Sequence, residues 1–290
     1  MQGKVVSLNL GNAKIVAQGE TYLCNVRGNL RKFEDVKVGD DVEFDPNFKV
    51  VLRLLSRKNQ LTRPSVSNVD QVLICISSLP KPNLNLVDIL IAEARVNGIE
   101  PIICITKKDI VDDDFSLEIK SQFSPLNVKI IETSVADEEL VNKIFELIKG
   151  KTTVLAGQSG VGKSSLINAI NKDLNLKTNL LTKFNTGKNT TTSANLYNLN
   201  DNTFVLDTAG FSVLELNSNL ILIEEVYPEI YQIGKKCKYR SCNHIDRQNE
   251  DCAVANALKT GLLNKNRYAR FLKLTEKLEK LKNKKYKREK

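Results

Sequence analysis

Residues 157–164 read Gly157-Gln158-Ser159-Gly160-Val161-Gly162-Lys163-Ser164, a complete G-x-x-x-x-G-K-[ST] pattern. The apolar run 152–156 precedes it and the helix-spaced run 163–170 follows it. Strand, tight loop and helix must therefore succeed one another here, inside an α/β layer. The residue types answer to phosphate chemistry. Glycines let backbone N–H groups turn inward around anionic oxygens, and the helix N-terminus adds favourable partial charge. In such a loop Lys163 is expected on the β- and γ-phosphates, the Ser164 hydroxyl on Mg²⁺, and Ser165 in the first turn beside them.

The surrounding rhythm extends this layer. Apolar strands are expected at 71–77, 101–106 and 128–131, with helix-spaced runs at 84–96 and 137–148 between and after them. That alternation predicts a parallel sheet. A further strand, 203–206, ends at Asp207. Residues 1–65 differ: short alternating runs (4–8, 14–17, 21–26) are punctuated by Gly11, Gly19 and Gly28, and Val38-Gly39-Asp40-Asp41 makes a turn before 42–44. They predict a small β-barrel, an OB-fold, although an SH3-like barrel would read much the same. Residues 217–290 read as mostly helical, and Tyr268, Phe271, Leu272, Leu274, Leu278 and Leu281 form an apolar stripe expected to pack. Three domains are expected: a barrel (1–65), an α/β nucleotide domain (66–216) and a helical domain (217–290).

Three motifs refine the chemistry. Thr106-Lys107-Lys108-Asp109 ends a buried strand and resembles the [NT]-K-x-D motif of GTPases. There the aspartate accepts from guanine N1–H and the exocyclic amine, and the lysine stem stacks on the base; adenine offers the wrong pattern. Glu132-Thr133-Ser134-Val135 follows the next strand and resembles the second base-contacting loop. Asp207-Thr208-Ala209-Gly210 fits a D-x-x-G switch, in which Asp207 holds Mg²⁺ through water and the Gly210 N–H senses the γ-phosphate. Thr190-Thr191-Thr192 offers a hydroxyl to close the Mg²⁺ shell; motif alignment favours Thr191. The order is unusual: the guanine motif precedes the phosphate loop, a circular permutation. The chain then leaves the nucleotide domain just after the switch, so the C-terminal domain is expected to respond to γ-phosphate occupancy. Phe211 stands where many GTPases place a water-orienting glutamine, which predicts slow intrinsic hydrolysis.

Charge and cysteines add a second layer. The formal net charge is +9, and residues 265–290 carry 12 Lys/Arg against 3 Asp/Glu, which leaves the rest neutral. A basic tail on a neutral body suits a polyanion such as nucleic acid; a solvated helix face is the alternative. Cys24, Cys75 and Cys104 sit apart and are expected to be buried. Cys237-x4-Cys242-x-His244-x7-Cys252 supplies four soft donors within 16 residues. Three thiolates and an imidazole suit a tetrahedral structural Zn²⁺. No secretory leader or apolar run of spanning length is evident, so a cytoplasmic protein is expected.

Together these features resemble the ribosome-small-subunit-dependent GTPase A (RsgA) family over nearly the whole chain. The barrel, the permuted motifs and the C-x4-C-x-H-x7-C module occur in that family's order. Residues 63–71, 157–166 and 187–192, Cys252-Ala253-Val254 and Arg267-Tyr268 also fit. The resemblance implies a GTP-hydrolysing factor in late maturation of the small (30S) ribosomal subunit. It implies contacts with 16S rRNA through the barrel and the zinc domain, and GTPase activity stimulated by the subunit. GTP and GDP are the implied ligands, and a monomer without membrane contact is expected. Three positions depart from the family pattern. Asn189 stands at the histidine of G-x-H-T-T, Thr106 replaces the commoner asparagine, and Ala209 replaces a proline. Gly160 occupies the place of an asparagine found in potassium-dependent relatives. Asn189 and Thr191 are the candidate catalytic residues. A nucleotide-gated rRNA-binding module with negligible turnover is the alternative, and a P-loop ATPase or kinase a third reading that Asp109 opposes.

Overall fold

The structure, a computed structural model, describes all residues except 10, 27–34, 63–64, 111, 172–195, 201, 208–222, 247 and 289–290, and the backbone alone at 200 and 281–288. Five strands, β1 (Gln2–Asn9), β2 (Asn12–Ala17), β3 (Glu20–Val26), β4 (Asp41–Asp45) and β5 (Val50–Leu54), close a barrel in the order β1-β2-β3-β5-β4. The β3–β5 pair is parallel and the others are antiparallel. This is OB-like order, which decides between the two barrels the sequence allowed. Alternation puts Val5, Ala13, Ile15, Cys24, Val42, Phe44 and Val51 inside. The β2–β3 hairpin turns on Gln18 and Gly19, both at positive φ (51° and 80°), as a two-residue hairpin of this hand requires.

A short pair, β6 (Gln60–Leu61) and β7 (Val66–Ser67), leads from the barrel to the main sheet. There the barrel turn is keyed to the chain. Asp40 is buried and accepts from Arg57 Nε (2.6 Å), Arg57 Nη2 (2.8 Å), Ser67 Oγ (2.6 Å) and the Lys37 N–H (2.7 Å). Gly39, at φ +92°, lies so close to this segment that a Cβ would sit 2.2 Å from the Ser67 carbonyl oxygen.

The main sheet has six strands: β8 (Gln71–Ile76), β9 (Glu100–Ile105), β10 (Lys129–Glu132), β11 (Thr152–Ala156), β12 (Leu196–Asn200) and β13 (Thr203–Asp207), in the order β10-β9-β8-β11-β13-β12. β8 pairs in parallel with β9 and β11, and β11 in parallel with β13. Strands buried on both faces read as unbroken apolar runs, which is why β8, β9 and β11 were legible. β12 was not expected; it is a short antiparallel edge strand of mixed polarity. The helices are α1 (Leu84–Val96), α2 (Asp113–Phe123), α3 (Glu138–Ile148) and α4 (Lys163–Ile170), then α5 (Ile223–Val226), α6 (Pro228–Gly234), α7 (Ala253–Lys259) and α8 (Lys265–Arg288). α2 escaped the periodicity reading because its first residues are acidic. Its start is set by Asp112, whose carboxylate caps the Asp114 N–H.

The chain divides into two compact units. One holds residues 1–82, 97–111 and 130–214, with both barrel and sheet. Its sheet core joins Leu73, Cys75, Ile102, Cys104, Leu155, Leu166 and Ile167, so Cys75 and Cys104, like Cys24 in the barrel, are buried. The other unit holds residues 83–96, 112–129 and 215–290. Its core gathers Tyr227, Ile230, Val254, Leu263, Tyr268, Phe271 and Leu274, with Leu272 and Leu278 packed against it. The apolar stripe on α8 is thus packing; Leu281 falls where only backbone is described.

At the centre of this second unit lies a buried polar knot. The Asp88 carboxylate accepts from Arg267 Nη1 (2.7 Å), Arg270 Nε (2.6 Å) and Tyr227 OH (3.1 Å). Arg267 also donates to Glu229 Oε1 (2.7 Å), and its guanidinium stacks 4.8 Å from the Tyr227 ring centroid. Buried charges persist only when paired and hydrogen-bonded in this way.

Candidate nucleotide site and candidate metal centre

The loop after β11 carries three glycines at positive φ: Gly157 (131°), Gly160 (82°) and Gly162 (96°). A Cβ at Gly157 would fall 2.2 Å from the Cys75 carbonyl oxygen, so that position admits no side chain. Gly162 is the N-cap of α4. Val161 points into the sheet core, which leaves only its backbone for a ligand. Gln158 is half-buried, Ser159 exposed and Ser165 half-buried along the same loop and first turn.

Lys163 is buried, and its ammonium donates to the carbonyls of Gly157 and Gln158, both at 2.8 Å. Burial pulls its pKa below the usual lysine value, partly offset by Asp207. A cation this dehydrated gains from any anion that reaches it. Ser164 Oγ donates to Asp207 Oδ2 at 2.6 Å, although 43 residues separate them. The other carboxylate oxygen, Oδ1, is buried with no hydrogen-bond partner among the described residues. A hydroxyl and a carboxylate with one oxygen left over are hard donors, which fit a small hard cation such as Mg²⁺.

Residues 106–109 meet the loop 157–164 at the carboxyl ends of the parallel strands, where open α/β sheets bind ligands. Thr106 Oγ1 bonds the Ile76 carbonyl (3.0 Å) and the Val161 carbonyl. Lys107, at φ +58°, sends its ammonium to the carbonyls of Gly160 (2.8 Å) and Leu79 (3.0 Å). Its stem therefore lies along the rim of the phosphate loop. Asp109 accepts a hydrogen bond from Ser134 Oγ, and Ser134 Oγ in turn accepts from the Ala136 N–H (3.1 Å). The Lys108 N–H donates to the Thr133 carbonyl (3.0 Å), and its ammonium lies 3.3 Å from Glu132. Four loops that are scattered in sequence thus interlock. The Leu79–Pro80 contribution was not anticipated; no motif marks it, only its position after β8. Asn189, Thr191, Gly210, Ala209 and Phe211 lie outside the described residues, as does the segment tying the switch to the C-terminal region.

The second site is in the other unit. The ligand atoms of Cys237, Cys242, His244 and Cys252 all lie within 4.8 Å of one another. His244 Nδ1 is 3.5 Å from Cys237 Sγ and 3.8 Å from Cys252 Sγ. Cys237 follows α6, and Cys252 caps α7. His244 is held at φ +62°, with its carbonyl accepting from Tyr268 OH at 2.7 Å. Gly234, which the sequence did not flag, is essential to the ring's position: a Cβ there would sit 2.5 Å from His244 Nε2. Burial lowers the His244 pKa and so favours the neutral, ligating imidazole. Burial pushes the Cys252 thiol up to about 11, so a thiolate here calls for a cation beside it. Converging soft donors with no carboxylate among them can hold a metal ion.

A family profile described as RsgA GTPase matches residues 54–217. Curated relatives agree over the full length. The small ribosomal subunit biogenesis GTPase RsgA of Caldanaerobacter subterraneus is 34% identical across 99% of both chains. RsgA 2 of Listeria monocytogenes is 35% identical over 98% of this chain and 99% of its own. This chain belongs to the RsgA GTPase family. Two crystal structures are similar to it along nearly the whole chain. YjeQ from Thermotoga maritima matches at 33% identity and TM-score 0.76, over 96% of this chain and 98% of that one. YloQ, titled a circularly permuted GTPase, matches at 29% and 0.73, over 96% and 95%. A second profile, described as 50S ribosome-binding GTPase, matches residues 152–285. It starts at the strand before the phosphate loop, where an unpermuted domain would begin, whereas the RsgA profile also takes in the upstream guanine motif.

Proposed function

We propose that this chain hydrolyses GTP as a biogenesis factor in late maturation of the small (30S) ribosomal subunit, contacting 16S rRNA. The supporting observation is the interlock of Lys107 and Asp109 with the phosphate loop, in a chain whose relatives are named for that role. Asp109 accepts from guanine N1–H and the exocyclic amine, with Ser134 holding the carboxylate in place. Lys107 lays its stem on the base, and Thr106 and Lys108 fix the loop. Gly157, Gln158, Ser159, Gly160, Val161 and Gly162 offer backbone N–H groups, and Ser165 extends the phosphate cradle. On nucleotide arrival Lys163 exchanges its two loop carbonyls for β- and γ-phosphate oxygens. Ser164, Asp207 and Thr191 would hold Mg²⁺, which neutralises charge developing on the phosphates, and the Gly210 N–H reads the γ-phosphate. Cys237, Cys242, His244 and Cys252 would hold one structural Zn²⁺.

Among these residues none is an evident general base, and Phe211 and Asn189 stand at the positions where a water-orienting group is sought. The reading therefore assigns completion of the catalytic site to the ribosomal partner. The protein acts in the cytoplasm as a monomer; no described helix is long and apolar enough to cross a membrane. GTP turnover by the purified chain is measured alone, with stoichiometric 30S and with 50S subunits. Stimulation by 30S alone is expected. Stimulation only by 50S, or none with GTP still bound, would overturn the reading.

A further inference from the structure

The cysteines of this chain stand in two settings. Cys24, Cys75 and Cys104 are fully buried in the barrel and sheet cores, where a thiol meets no reagent. Cys237, Cys242 and Cys252 converge with His244, and these three are not equivalent. Cys252 is buried, and its Sγ accepts from the Ala255 N–H at 3.5 Å. Cys237 Sγ accepts from the Ala253 N–H at 3.3 Å. Among the described residues no backbone N–H donates to Cys242 Sγ. Cys242 is half-buried in a turn closed by its own N–H on the Tyr239 carbonyl (3.2 Å), and its neighbours Ser241 and Asn243 are both exposed.

N–H bonds to a thiolate draw charge off the sulfur and hold it in place as a ligand. A sulfur without them keeps its electron density, and with it the nucleophilicity that drives exchange with a disulfide. Access follows the same ranking, since Cys252 is covered and Cys242 lies next to solvent. We propose that Cys242 is a site of oxidative modification, the one thiolate of the cluster that reacts first with small disulfides. The inference rests on the zinc reading above and adds a reactivity to it. The step is thiol–disulfide exchange. Cys242 Sγ attacks one sulfur of the incoming disulfide, that S–S bond breaks, and the other half leaves as a thiolate. Cys237 or Cys252 then attacks Cys242 Sγ, since all the ligand atoms lie within 4.8 Å of one another. An internal disulfide forms and the second half leaves as a thiolate. Two electrons have passed from two cysteines to the small disulfide. One thiolate and His244 are left, too few donors to keep a tetrahedral ion. The link between the end of α6, which Cys237 follows, and the start of α7, which Cys252 caps, changes with it.

The test uses the full chain loaded with Zn²⁺. Brief alkylation with substoichiometric iodoacetamide, followed by peptide mass mapping, is expected to label Cys242 first. Oxidised glutathione is then added, and Zn²⁺ release is followed with a metal-sensitive dye. Cys242→His keeps four donors, in a two-cysteine, two-histidine set that zinc also accepts. It is expected to slow release by about tenfold or more. Cys237→His makes the same exchange at a hydrogen-bonded sulfur and should leave the rate within about twofold of wild type. Metal content and circular dichroism before oxidation check that each variant is loaded and folded; if one is not, the labelling order in the wild type decides alone. First labelling at Cys237 or Cys252, or equal slowing in the two variants, overturns the inference and leaves the zinc site standing. A wild-type chain that takes up no zinc overturns the zinc reading and the inference together.

Discussion

Gly157 shows how little freedom single positions of this loop retain. Both its φ of 131° and the Cys75 carbonyl oxygen, 2.2 Å from where a Cβ would stand, forbid alanine. Gly157→Ala should abolish measurable GDP binding and lower stability by about 1–3 kcal/mol, as judged by titration and denaturant unfolding. Asp109→Asn addresses the base rather than the backbone. It removes the charged acceptor, so affinity for guanine nucleotides should fall on the order of 100-fold and the preference over ATP should disappear; retained preference in a competition assay would contradict the assignment. The conformation of Gly157 was legible because its motif encodes local backbone chemistry. Gly234 was not: nothing near it in sequence announces that a histidine ring ten residues on must pass within 2.5 Å of a Cβ. Gly234→Ala is accordingly expected to reduce metal content per chain.

At the scale of elements, α1 illustrates a different limit. Its periodicity identified a helix, and an amphipathic reading would keep an aspartate such as Asp88 out of the interior. The structure buries it because α1 meets Arg267 and Arg270 of α8, some 180 residues later. Asp88→Asn keeps the shape but leaves two guanidinium groups without their shared anion. It should cost about 3–5 kcal/mol in denaturant unfolding of the C-terminal unit, because an unpaired buried charge is far worse than no charge. With the proposed Zn²⁺ bound, Cys237, Cys242, His244 and Cys252 would be the other fastener of this unit. Chelation should release one Zn²⁺ per chain and melt α6 and α7, read by a metal-sensitive dye together with circular dichroism. Loss of metal without loss of helix would mean that the core around Tyr227 and Phe271 suffices without it.

For the whole molecule the uneven charge is the feature with the longest reach. Residues 281–290 hold six Lys/Arg and one glutamate on the last turns of α8 and beyond. If they neutralise rRNA phosphates, removing them should weaken 30S binding and flatten its dependence on salt, by up to several units in the slope of log K against log salt. An unchanged slope would identify the tail as a solvated helix end.

By itself the sequence determined the glycine-rich loop between strand and helix, the order that puts residues 106–109 upstream of it, the parallel strands and the Cys/His donor set. Each is written in contiguous residues whose spacing obeys a short-range rule: backbone turning at glycine, unbroken apolar runs for strands buried on both faces, helical periodicity, soft ligands in close succession. The tertiary structure alone decided the OB-like strand order and the antiparallel edge strand β12. It also decided the reach of Lys107 to Leu79 and Gly160, the meeting of Ser164 with Asp207 and the charged knot at Asp88. Those depend on which elements become neighbours. That choice is made by summing burial and hydrogen bonding over the whole chain, and local spacing carries no trace of it.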